Sequence, residues 1–351
     1  MLNRKPLKFT IKIITGAAVI RLTVLAGFLG ALGVWGYFKM VKMPGQTYSG
    51  QLPPLTDAQV LLRDELRSHV QFLASEIGER NIWQYQNLTA AADFIEKYLT
   101  DTGCNVRRQQ YQAEGRTCCN IVAEITGTNN PDEIIIVGAH YDSIYSSPGA
   151  NDNGSAVAAV LAIARAFAKK HPARTLRFVL FANEEPPFFQ TDLMGSLVYA
   201  KSCRQSGDNI IVMLSLETIG YYSDKPNSQK YPFPFSLVYP STGNFIGFVG
   251  NLSYRKMLHR VVTSFRNNFN FPSQAAAIPE IFPGVTWSDH WSFWRQGYPA
   301  IMVTDTAAFR YPHYHTPQDT PDKLDYDCLA RVVSGLQVLI AELAAPSLYN
   351  D

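Results

Sequence analysis

Residues 138–155 read GAHYDSIYSSPGANDNGS, with one histidine, two aspartates and two asparagines directly behind the apolar run EIIIVGA. A buried strand ordinarily ends in a short turn of Gly, Asn or Pro. This one ends in His140 and Asp142, continues to Asp152, and enters AVAAVLAIARAFA, which reads as a buried helix. The pattern recurs down the chain. RFVLFA is followed by Asn183, Glu184 and Glu185, IIVMLSL by Glu217, and AIMVTDTA by FRYPHYHTPQDT with His313 and His315. Carboxylates gathered at depth repel one another and are costly to desolvate, and a bound cation relieves both costs. Imidazole mixed with carboxylate, without thiolate, suits Zn²⁺; an all-oxygen set suits Mg²⁺ or Ca²⁺. Three protein ligands with an open position make a catalytic zinc site. The donors suffice for two such sites if one carboxylate bridges.

Something must carry these groups to one place. Helical periodicity marks 57–77, 89–102, 154–170, 194–203, 252–268 and the closing PDKLDYDCLARVVSGLQVLIAELAA. NIVAEITG, DEIIIVGA, TLRFVLFA, IIVMLSL and AIMVT read as strands. Strands that are apolar throughout and alternate with helices predict an α/β fold with a mainly parallel sheet covered on both faces. In such sheets ligands bind beyond the carboxyl ends of the strands, which is where the candidate donors fall.

HYDS, GANDNGS, NEE, a carboxylate after the next strand, SDHWSF and YHTPQDT follow in that order over roughly residues 60–340. The ordered set resembles the co-catalytic di-zinc exopeptidases of the bacterial leucyl aminopeptidase type, whose more distant relatives include glutamate carboxypeptidase and glutaminyl cyclase. The resemblance implies a three-layer α/β/α sandwich around a mixed, mostly parallel sheet. It makes Asp152 the ligand shared by two Zn²⁺ ions, with His140 and Glu217 completing one site and Glu185 and His315 the other. Glu184 becomes the general base on the attacking water, and Asp142 holds the far nitrogen of His140. Tyr314 would hydrogen-bond the developing oxyanion, a role that competes with simple packing. Asp289 and His290, in SDHWSF, fall near the pocket.

Two positions depart from the common aminopeptidase pattern: Glu217 stands where Asp is usual, and Asn153 rather than a second Asp follows Asp152. His313 rivals His315, and the spacing of HTPQDT selects His315. Taken alone, His140 with Asp152 could cap a loop, and Glu184 with Glu185 could be a solvated pair; their place behind buried strands weighs against both.

The activity implied is zinc-dependent removal of the N-terminal residue from peptides with a free N-terminus. Three alternatives sit on the same fold. A carboxypeptidase needs a cation for the free carboxylate, with Arg310 the candidate. A glutaminyl cyclase-like acyltransferase uses one zinc and different strand-end motifs. A non-catalytic, receptor-like ectodomain would be expected to lose ligands, and none is missing. Loops 186–193 and 271–286 are expected to wall the pocket for the first substrate residue.

At 351 residues, 46% hydrophobic and 17% charged, the chain is globular. A net charge of +2 gives no basic excess of the kind that binds nucleic acid. The amino terminus stands apart. Arg4, Lys5, Lys8, Lys12 and Arg21 precede seventeen uncharged residues, Leu22 to Phe38, with Trp35 and Tyr37 at the far end and only Lys39 and Lys42 following closely. That length is the lower limit for a membrane span, and the charge bias keeps the amino terminus in the cytoplasm with the rest outside. A cleaved signal peptide is the rival, but GVWGYFK lacks an A-x-A-like site. The expected organisation is a basic tail and transmembrane anchor over 1–42, a Gly/Pro/Ser/Thr-rich linker over 43–56, and one zinc peptidase domain over 57–345. None of the five cysteines lies in a C-x-x-C pair, which leaves a bridge from Cys104 to Cys118 or Cys119, or free thiols.

Overall fold

The strands carry the site, and their register brings its donors level. A computed structural model describes residues 16–346. It holds eight strands: β1 (Asn105–Ala113), β2 (Arg116–Ile125), β3 (Asn130–His140), β4 (Arg174–Phe181), β5 (Asn209–Glu217), β6 (Ile246–Gly250), β7 (Ser273–Ala277) and β8 (Ala300–Thr304). They form one sheet in the order β1-β2-β4-β3-β5-β8-β6-β7. The centre, β4-β3-β5-β8, is parallel; β2 runs antiparallel to β4, and β6 antiparallel to β8. The sheet is therefore mixed, as the sequence motifs imply. His140 pairs with Phe181 and Glu217 with Thr304, so three parallel strands deliver His140, the Glu184-Glu185 turn and Glu217 to one rim.

The helices are α1 (Gly16–Gly36), α2 (Asp57–Gln71), α3 (Tyr85–Asp101), α4 (Ala156–Phe167), α5 (Gly195–Ser206), α6 (Arg255–Asn268), α7 (His290–Arg295) and α8 (Tyr326–Ala344). Helices α2, α3, α4, α6 and α8 share one apolar core with the sheet face that carries Ile135, Val137, Leu176, Phe178 and Leu214. Against the other face lie α5 and α7, where Phe181, Tyr199 and Phe293 meet as rings. Local chemistry fixes the ends. Thr56 and Gln59 form a reciprocal capping box at the start of α2, and Asp325 caps α8 by accepting from the Cys328 N–H. Helix α4 is buried on nearly all sides, consistent with its run of Ala, Val, Leu and Ile.

Three strands have no counterpart in the sequence reading. β1 is a polar edge strand, NVRRQQYQA, and edges carry charge because apolar edges aggregate. β6 (IGFVG) and β7 (SQAAA) are short and small-residued, so neither stands out as an apolar run.

The chain divides into two compact units, 1–42 and 43–351. In the first, α1 continues through a wider turn to Val41, and Gly16–Val41 is long and apolar enough to cross a membrane. The charges at residues 4–12 lie outside the described residues. In the second, the stretch 43–56 is laid along the domain: Arg331 donates to the Pro53 carbonyl and Arg266 to that of Pro44, while Thr47 Oγ1 accepts from the Ser273 N–H. All five cysteines are unbridged, four of them buried.

Candidate metal centre

Asp152 occupies the middle of the rim, and its two oxygens point different ways. Oδ1 is 3.4 Å from His140 Nε2, and Oδ2 is 3.0 Å from His315 Nε2. Glu217 Oε2 lies 3.3 Å from His140 Nε2, and Glu185 Oε1 lies 3.4 Å from His315 Nε2. Two trios result, His140-Asp152-Glu217 and Asp152-Glu185-His315, in each of which the ligand atoms lie within 4.8 Å of one another. Both oxygens of Asp152, Glu185 Oε1 and His315 Nε2 are buried without a formed hydrogen bond. A carboxylate and an imidazole that face each other in this way suit a cation held between them.

The electrostatics agree. Burial raises Glu184 well above the usual carboxylate range, and burial with the neighbouring Asp152 brings Glu185 to about 7. Burial likewise raises Glu217. Burial depresses His140, but Glu217 and Glu184 outweigh it and push the imidazole well up; Asp152 and Glu185 bring His315 to about 10 against the same penalty. The crowded carboxylates pull the imidazoles toward their charged form, the same pull that would draw a divalent ion to this place.

Each donor is held by its neighbours. Asp142 accepts the N–H of Glu184 and of Glu185, both at 3.1 Å, and its Oδ1 is 3.5 Å from His140 Nδ1. The carboxylate thus orients the turn carrying two glutamates, while the Asp142 backbone carbonyl, 3.2 Å from His140 Nδ1, is the hydrogen-bond partner of the histidine. Ser288 donates to Glu217 Oε2 at 2.8 Å. His315 adopts a left-handed backbone (φ 58°), which turns its ring back toward Asp152. His313, two residues away, instead sets its ring against Tyr311. Tyr314 stacks on the His315 ring with centroids 3.8 Å apart.

Asp289 is buried with both oxygens unpartnered, raised to about 7 by burial, and lies near enough to His140 and Glu217 to feel both charges. His290 accompanies it: burial lowers it to about 4, and its Nε2 sits 2.7 Å from the Val285 carbonyl. Arg310 is not placed for a substrate carboxylate. It is buried, donates to the carbonyls of Tyr221 and Phe245 and to Gln229 Oε1, and lies over the Phe245 ring.

Two residues essential to this geometry carry no role in the sequence reading. Asp319, the aspartate of HTPQDT, accepts the N–H groups of Asn151 and Asp152 at 2.8 and 3.0 Å and the Tyr311 hydroxyl at 2.9 Å. Its place four residues after His315 was the available signal. Arg80 is fully buried and fans its guanidinium onto the carbonyls of Tyr141, Pro148 and Gly149, clamping both ends of the loop that carries Asp152. Its sequence setting, GERN, gives no hint of this.

An apolar cavity opens beside the centre, its lining shared by Glu217 and Tyr314 with Tyr231, Phe235, Phe248 and Met302. Loop 271–286 contributes Ala275, Ile278 and Val285, but loop 186–193 contributes nothing; the second wall is the segment 229–239. That segment had no sequence signal because a β5–β6 connection of this length has no fixed course.

Comparison with known proteins follows the same lines. Over 286 residues the chain is 36% identical to the uncharacterized protein YfbL of Escherichia coli, covering 79% of this chain and 87% of that one. It is 29% identical over 241 residues to a probable leucine aminopeptidase 1 of Trichophyton verrucosum, covering 64% of this chain and only 58% of that protein's length. The fold superposes on the zinc aminopeptidase BSAP of Bacillus subtilis with a TM-score of 0.64 at 14% identity, covering 82% of this chain and 96% of that one. Residues 120–339, which include every donor of the two trios, match peptidase family M28, and the chain belongs to that family.

Proposed function

We propose that this chain is a di-zinc aminopeptidase, anchored in a membrane by α1 with its peptidase domain outside the cytoplasm. The observation that carries the chemistry is Asp152, which splits its oxygens between two trios of donors. His140, Asp152 and Glu217 would hold one zinc, and Asp152, Glu185 and His315 the other. Bound there, the ions would supply Lewis acidity toward water and the scissile carbonyl.

The chain's own groups do the rest. Glu184 sits among the donors, its Oε2 4.0 Å from His140 Nε2, and belongs to neither trio. It takes the proton of the attacking water and returns it to the leaving amine. Asp142 keeps this turn and His140 in register. The hydroxyl of Tyr314, which lines the cavity beside Glu217, donates to the developing oxyanion. The cavity takes the side chain of the first residue. Several of its polar groups are already spent: Tyr231 and Tyr239 donate to the Pro240 and Ala275 carbonyls, and Gln229 is tied to Thr306 and Arg310. An apolar side chain fits such walls, and a charged one does not. Arg310 spends its Nε and Nη1 inside the fold, on Gln229 and the Tyr221 and Phe245 carbonyls, which favours an aminopeptidase over a carboxypeptidase.

The test is a matched pair of peptides, free and N-acetylated, assayed with and without chelator. Free peptides should lose their first residue, acetylated ones should be spared, and chelation should abolish turnover. Equal cleavage of both, or release of the C-terminal residue, would refute the reading.

A further inference from the structure

Three features meet along β7, the last strand of the sheet. On one side lies α6, whose charged residues are all cationic, Arg255, Lys256, Arg260 and Arg266, with no carboxylate in the helix. On the other, the segment 231–239 closes over the strand, with the Tyr239 hydroxyl donating to the Ala275 carbonyl and Phe235 meeting Phe282 edge to face at 5.1 Å. This segment leaves Phe233 77% and Leu237 74% exposed, and Ile281 on the adjoining loop is 88% exposed. Finally, the chain arriving from α1 lands on the same strand: Thr47 Oγ1 accepts from the Ser273 N–H at 2.8 Å, and Arg266 holds the Pro44 carbonyl at 2.9 Å.

Large apolar side chains exposed together mark a surface that meets a partner. We infer that this edge rests on the surface of an anionic phospholipid bilayer, the one that α1 crosses, with Phe233, Leu237 and Ile281 entering the interface beside the cationic face of α6. The tether argues for lipid. Thr47, which bonds the Ser273 N–H, comes only six positions after Val41, the last residue of the apolar helix, so the connection between them is short. The charge argues for anionic lipid, since a cluster of Lys and Arg is drawn to such a surface. Apolar insertion with basic attraction is the pairing that makes interfacial binding stable. The inference rests on α1 staying attached and spanning the bilayer, and is independent of the peptidase chemistry.

The experiment uses the full chain in vesicles of phosphatidylcholine with or without phosphatidylglycerol. An environment-sensitive fluorophore is placed at Leu237→Cys, at Glu114→Cys on the β1–β2 turn as control, and at Val34→Cys within α1; the labelled parent chain sets the background. Lipids brominated in the acyl chain should quench the labels at 237 and 34 but not at 114. In phosphatidylglycerol vesicles, the paired change Lys256→Glu and Arg260→Glu should reduce quenching at 237 severalfold and leave that at 34 unchanged. Quenching at 34 with none at 237 above the control would overturn the inference and leave the patch for a protein partner. Absence of quenching at 34 would remove its premise, and the inference with it.

Discussion

Glu184 and Glu185 are neighbours to which the proposal gives different tasks, on geometric grounds. Glu185 faces His315 and Asp152, whereas Glu184 has no place in either trio. Glu184→Gln should keep zinc near the wild-type level while kcat falls by about 10²–10⁴-fold. Glu185→Gln should lose zinc and activity together. Zinc stoichiometry beside kcat distinguishes the two, and the reverse result would swap their roles. Asp319 tests the support beneath the ligands. Asp319→Ala strips the acceptors from the Asn151 and Asp152 N–H groups, and zinc affinity should drop about 10–100-fold in a competition titration with a chelator. His140, Glu185 and Glu217 were legible in sequence because each stands at or just beyond the end of an apolar strand, whereas Asp152 and His315, deeper in their loops, were picked out by the motif resemblance. Arg80 and Ser288 were not legible, because the groups they hold lie 61 to 71 residues away in sequence, and Asp319 was visible only as part of HTPQDT, with nothing local to show that it holds the Asn151 and Asp152 N–H groups.

At the scale of elements, the same contrast holds. Helices with strong periodicity and strands that are apolar throughout could be read directly, since burial on both faces dictates their composition. β1, β6 and β7 escaped because edge position removes that demand. One polar contact also knits helices that the apolar pattern alone leaves free to slide. Glu65 on α2 receives Tyr98 of α3 at 2.6 Å and Arg165 of α4 at 2.5 Å. Burial raises the Glu65 carboxyl, but its bonds to His69, Arg165 and Tyr98 outweigh this and hold it at about 2 against an ordinary 4.5. A depressed carboxylate stabilises the fold above its unfolded value and loses that contribution as pH falls toward the folded one. After allowance for solvent screening, Glu65→Gln should cost about 1–2 kcal/mol at pH 7. The Tm gap between wild type and variant should therefore narrow as pH falls from about 5 toward 2. A gap independent of pH would assign the loss to packing.

For the whole molecule, composition separated an apolar amino-terminal helix from one large domain, and charge bias suggested which way that helix would cross a membrane. Protease added to spheroplasts should reach the domain while a cytosolic marker stays protected; equal protection of both would reverse the orientation. The central claim, however, is that the fold converges on a centre for two ions bridged by one aspartate. Anomalous diffraction at the zinc edge from crystals of the zinc-loaded protein tests it most directly. Two peaks should flank Asp152, about 3.5–4 Å apart, one beside His140 and Glu217 and the other beside Glu185 and His315. A single peak in protein of full activity, or peaks that leave Asp152 uncoordinated, would contradict it.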